Sequence, residues 1–121
     1  MGGMVRALAI AALLILAAPP ARALELVMFE APGCAYCAQW HAEVGDAYPK
    51  TAEGKAAPLR AVQLRSPPED LKFIKGVVFT PTFVLVHEGR EVGRIQGYPG
   101  EDFFWGLLNE LLDKHAAKAS S

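Results

Sequence analysis

Cys34 and Cys37 stand three residues apart, directly behind a break in the chain at Pro32-Gly33. That placement constrains the fold more than any other feature of the sequence. Residues 24–29 (LELVMF) form a short, apolar, β-prone run that reads as a buried strand ending at the break. After it, Cys37, Trp40, Val44 and Tyr48 recur at helical spacing along one face, and Pro49 stops the helix. The two cysteines therefore sit where a strand hands over to a helix. A bridge gains most by closing a long loop, so a pair three residues apart makes a poor staple. Its position points to chemistry.

Residues 1–23 are read as a secretory signal and set apart from the fold. Arg6 supplies a positive start, residues 7–18 are twelve apolar residues in a row, and Pro19-Pro20 break the run before Ala21-Arg22-Ala23. That ending matches a small-x-small cleavage pattern, with cleavage expected after Ala23. Twelve helical residues span about 18 Å, short of the ~30 Å hydrocarbon core, which argues against a retained anchor. The leader also accounts for the mean hydropathy of +0.20. The mature chain then has 98 residues and a formal charge of −3. One domain is the natural count, and a charge this weak excludes a strategy built on nucleic acid. An exported chain works in the periplasm, where disulfides persist.

The remaining pattern fills in an α/β domain over residues 24–115. Residues 50–58 are small and polar, as in a loop. Residues 59–64 (LRAVQL) alternate, as a strand near an edge does. Ser66-Pro67 resembles a helix start, Glu69 holds the capping-box position, and the helix is expected to reach Lys75 before Gly76. Residues 83–86 are continuously apolar, the pattern of a central strand. Glu88-Gly89 is turn chemistry, and residues 91–96 return as a hairpin partner. A last helix begins near Glu101, presents Phe104, Leu107, Leu108, Leu111 and Leu112 to the core, and leaves 116–121 as a flexible tail. The order β-α-β-α-β-β-α implies a mixed central sheet with flanking helices.

At a helix N-terminus, unpaired N–H groups and a partial positive charge favour thiolate over thiol. Cys34 is accordingly the expected attacking thiol. Cys37, one turn on and on the same face, can close a disulfide with it and resolve a mixed one. Cys34, Cys37 and His41 also form C-x2-C-x3-H, a conceivable metal set, but a structural zinc site takes four ligands and no obvious fourth stands near. No metal and no cofactor is expected. His41 reads as a helix-surface residue, His87 and His115 as solvated, and Trp40 and Trp105 as core.

LVMFEAPGCAYC, followed by Thr80-Pro81-Thr82 with Pro81 44 residues after Cys37, resembles the thioredoxin fold family over nearly the whole mature chain. Within that family, the leader, P-G-C-x-Y-C and the short length look most like the periplasmic thioredoxins of bacterial sulfur-oxidation operons. The resemblance implies a thioredoxin fold with Pro81 in a cis peptide facing the cysteines. It also implies a partner groove lined by Thr80 and Pro81, with Gly97 and Tyr98 on the far rim. Tyr36, between the cysteines, is an expected partner contact. The chain departs from the family at Met28, where a buried Asp is usual, at Gly33 in place of Trp, and at Ala35-Tyr36 in place of Gly-Pro. Glu30 is the nearest substitute proton relay by sequence.

These readings converge on a monomeric, exported protein-disulfide reductase that keeps a disulfide-containing client reduced. By resemblance the client is a carrier protein of sulfur oxidation, and the electrons come from a membrane thiol carrier. The alternatives are a disulfide oxidant or isomerase, or a metal module on Cys34, Cys37 and His41. Direction follows from charge. A helix N-terminus stabilises an anion by up to ~2 kcal/mol, about 1.5 pKa units, which takes a thiol from ~8.5 to roughly 7. Ala35 and Tyr36 add no cation, and His41 lies about 10.5 Å along the axis from Cys34. A modestly stabilised thiolate belongs to a reductant.

Overall fold

The computed structural model describes residues 24–119; the leader and its cleavage point lie outside them. Four strands form one sheet in the order β2-β1-β3-β4. β1 (Glu25–Glu30) pairs in parallel with β2 (Leu59–Gln63) and antiparallel with β3 (Thr82–His87), which pairs antiparallel with β4 (Arg90–Gln96). The sheet is mixed because a helical crossover joins β1 to β2, whereas a two-residue turn joins β3 to β4. In that turn Glu88 and Gly89 both have positive φ, 48° and 76°. Two successive left-handed residues suit the twist of a hairpin.

β1 and β3 are central strands, buried on both faces. Leu26 and Met28 point to the larger core, with Phe83 and Leu85 beside them, while Val27, Phe29, Val84 and Val86 point to the smaller one. This period of two explains why both strands read as unbroken apolar runs. The larger core is covered by α1 (Ala35–Trp40), by the π-helical turn His41–Gly45 that continues it, and by α3 (Glu101–Ala119). Its centre is aromatic. Phe104 meets Trp40, Phe83, Tyr98 and Trp105 at ring-centroid distances between 4.9 and 6.2 Å. Such rings favour edge-to-face contact beyond simple area burial.

Four expectations are corrected. The helix placed at 67–75 is one 3-10 turn, Glu69–Leu71. Pro68 disfavours helical geometry at the residue before it, and is itself extended, with ψ of 151°. Leu71, with Leu64, Ile74 and Val77, still covers the smaller core. The loop at 50–58 contains α2 (Ala52–Ala56), capped by Thr51, whose Oγ1 accepts from the Gly54 N–H at 3.0 Å. The helix α3 continues to Ala119, into the segment read as a tail. His87 and His115 are not separately solvated, because their rings meet edge to face at 4.6 Å.

Candidate redox site

Cys34 is the N-cap of α1, with an extended backbone (φ −77°, ψ 103°) and a sulfur that accepts from the Cys37 N–H at 3.1 Å. The two cysteines form a disulfide across a Cα separation of 5.2 Å. They differ sharply in access. Cys37 is 3% exposed and packs into the larger core beside Trp40 and Met28, while Cys34 sits at its edge, half-buried. Tyr36, between them, is 60% exposed.

Residues 80–82 reach the same end of the sheet, because Phe29 at the end of β1 pairs with Thr82 at the start of β3. The Thr80–Pro81 peptide is cis. Its surroundings are tied at two points. Thr82 Oγ1, buried, donates to the Phe79 carbonyl at 2.7 Å, and the Gly97 N–H donates to the Pro81 carbonyl at 2.7 Å. Gly97 therefore stands against Pro81. Tyr98 does not offer its ring to a rim: it turns inward, 6% exposed, and its hydroxyl donates to Glu43 Oε1 at 2.5 Å. Sequence reasoning missed Val78 and Phe79, which stay 68% and 59% exposed just before the cis peptide. The available signal was an aperiodic apolar run between Gly76 and Pro81. Side by side and exposed, they are a candidate contact surface.

Glu30 and His41, read separately from sequence, are brought together. Nε2 of His41 lies 2.8 Å from Oε1 of Glu30. Both line an open cleft of about 510 Å³ with Gly33, Cys34, Ala35 and Cys37. Met28, fully buried, puts no carboxylate beneath the cysteines. Among the described residues, no group of three or more His, Cys, Asp or Glu is placed to hold a metal ion, and no helix is long and apolar enough to cross a membrane.

A mixed sheet carrying a disulfide at the mouth of its first helix, with a cis-proline at the same end of the sheet, defines a thioredoxin-type disulfide oxidoreductase. The thioredoxin-like domain family matches residues 15–112, and the chain belongs to it. The periplasmic thioredoxin SoxS of Paracoccus pantotrophus, solved in its reduced form, is 52% identical. The match covers 76% of this chain and 98% of SoxS, at a TM-score of 0.72. Thioredoxins of Fasciola hepatica and Thermus thermophilus are 27% and 25% identical. They match over 74% and 79% of this chain, and 81% and 78% of their own, at TM-scores of 0.57 and 0.58. A comparison with curated proteins finds no match. The Cys34–Cys37 pair is thus the redox-active pair of a thioredoxin-like protein.

Proposed function

We propose that the protein is a periplasmic dithiol reductant that keeps a disulfide-bearing client, of the kind found in sulfur oxidation, in its thiol form. The observation that carries this reading is the asymmetry of the pair: Cys34 at the helix mouth within reach of solvent, Cys37 buried 3% exposed behind it. In the reduced state, the Cys34 thiolate attacks a client disulfide and forms a mixed disulfide, releasing one client thiol. Cys37 then attacks Cys34 Sγ, which frees the second client thiol and leaves the enzyme oxidised. Tyr36, Thr80, Pro81 and Gly97 line the client groove, and Val78 and Phe79 extend it with apolar surface. A membrane thiol carrier restores the dithiol. The likeness to periplasmic SoxS supports the compartment.

Direction is supported by what surrounds Cys34. Its sulfur accepts one backbone N–H, and no Lys or Arg lines the cleft. The thiolate is therefore stabilised modestly, as in a reductant. The test is equilibration in glutathione buffers together with pH-dependent alkylation of Cys34. A potential well below −180 mV and a Cys34 pKa of about 7 are expected; values near −120 mV and about 4 mark an oxidant and overturn the direction.

A further inference from the structure

Resolution of the mixed disulfide requires a thiolate at Cys37, and Cys37 is the wrong place for one. A buried thiol in apolar surroundings holds its proton more tightly than a free one, and Cys37 belongs to the buried core that also holds Leu26, Met28, Trp40 and Val44. Two titratable side chains share that core, Tyr48 and Tyr98. Both hydroxyls are already committed, the first donating to the Ala57 carbonyl at 2.6 Å and the second to Glu43. Glu43 also accepts from Gln39 at 3.2 Å. On the open side, the cleft that reaches both cysteines is lined by two further titratable groups, Glu30 and His41.

Those two form one unit. Glu30 ends β1, and its backbone carbonyl accepts from the Leu64 N–H at 2.8 Å, so the carboxylate hangs from a fixed point of the sheet. His41 follows Cys37 by one turn, and its backbone N–H donates to the Cys37 carbonyl. Residues four apart on a helix share a face. The His41 ring is held at two points, by Glu30 at Nε2 and by an edge-to-face contact with Trp40 at a centroid distance of 5.2 Å. The imidazole takes one carboxylate oxygen, Oε1, of a side chain that itself lines the cleft.

We infer that Glu30 is the proton acceptor for Cys37 and that His41 is its positioning residue, holding the carboxylate in place at the cleft. This rests on the thiol–disulfide reading above and adds the route of the proton. As the mixed disulfide is resolved, the Cys37 S–H bond breaks and its proton passes to Glu30 through water in the cleft. The freed thiolate forms the Cys34–Cys37 bond, the Cys34–client bond breaks, and the departing client thiolate takes up a proton. Two electrons have moved from the dithiol to the client, and no other reactant is needed.

The test is stopped-flow reaction of the reduced full chain with one equivalent of the aromatic disulfide DTNB, which separates the two steps. Attack by Cys34 releases one coloured thiolate, and attack by Cys37 releases the second. In His41→Ala and Glu30→Gln, the ratio of second-phase to first-phase rate should fall tenfold or more at neutral pH, against the ~10²–10⁴-fold that a fully positioned base supplies. The second phase in these variants should climb about tenfold per pH unit, as hydroxide takes over, while that of the parent protein flattens. The double variant should be no slower than Glu30→Gln alone, since coupled residues are not additive. Glu30→Asp, which keeps the charge, should recover part of the rate and guards against a misfolded Glu30→Gln. An unchanged ratio and pH profile in His41→Ala, additive losses in the double variant, or equal slowing of both phases overturns the assignment. Failure of the parent protein to release either thiolate overturns the redox reading itself.

Discussion

A Cβ placed on Gly54 would stand 1.8 Å from the carbonyl oxygen of Tyr48. The obstacle is backbone, which no rotamer change can remove. At the same corner Thr51 Oγ1 both donates to the Tyr48 carbonyl at 2.7 Å and caps α2. Tyr48 itself reaches forward to Ala57. The short helix is therefore clamped to the end of the preceding segment, and the clamp works only with glycine. Gly54→Ala should cost about 3 kcal/mol, the upper range for overpacking. For a domain this size that lowers Tm by about 12 °C or more. Thermal denaturation measures it, and a shift under about 4 °C would show that the corner yields freely.

The burial difference between the two sulfurs gives opposite phenotypes. Cys34→Ser should abolish disulfide exchange, leaving a thiol at Cys37 that alkylates slowly. Cys37→Ser should retain a fast-alkylating Cys34 and accumulate mixed disulfides with client proteins. Alkylation rates of the two single variants decide the matter, and faster alkylation at Cys37 would reverse the proposed roles.

Thr82 links the sheet to the loop that carries the cis peptide. Its buried hydroxyl donates to Phe79, so Thr82→Val preserves shape while orphaning that carbonyl. The expected stability loss is about 1 kcal/mol. Because the loop forms part of the proposed groove, KM for a protein disulfide should rise with little change in the alkylation rate of Cys34. Insulin reduction kinetics read this directly, and an unchanged KM would separate the loop from client binding.

Two phenols resist ionisation. Tyr48 is pushed well above the ordinary phenol range, first by burial and then by the charge of Glu53; Tyr98 is raised by burial and by the hydrogen bond and charge of Glu43. A folded-state pKa above the unfolded value of ~10 means that the folded protein holds the proton more tightly. That contribution is complete below about pH 10 and is lost as pH rises toward the folded values. Tyr98→Phe should be about 1 kcal/mol less stable at neutral pH, and the gap should close above about pH 10. Denaturation at a series of pH values, with tyrosinate absorbance, tests both halves. A gap constant through about pH 11 would remove Tyr98 from the alkaline transition.

The strands were readable because β1 and β3 are buried on both faces, and a residue such as Val84 has no solvated neighbour to break the apolar run. The cysteine site was readable because Pro32-Gly33 punctuates it. α2 was not, since AEGKA has no apolar period and depends on Thr51 and on the Tyr48 contact made after folding. The helix expected from Ser66 failed on Pro68, whose extended backbone outweighed a correct capping pattern. Glu30 and His41 are eleven residues apart on different elements, so nothing local announces their hydrogen bond. Tyr98 followed the same rule: its partner Glu43 lies 55 residues away, and only the packed core reveals it.

The sulfurs lie at the end of β1 where Glu30 and Phe29 stand, whereas Glu25 at its start pairs with Val86. β3 then delivers His87 to the ring of His115, near the close of α3. Both ends of the described domain thus gather at the pole opposite the disulfide, about 20 Å away along six strand residues at ~3.3 Å each. A linker, a tag or a surface attached at either end trails behind the molecule. The disulfide therefore faces away from whatever is joined to either end of the described domain.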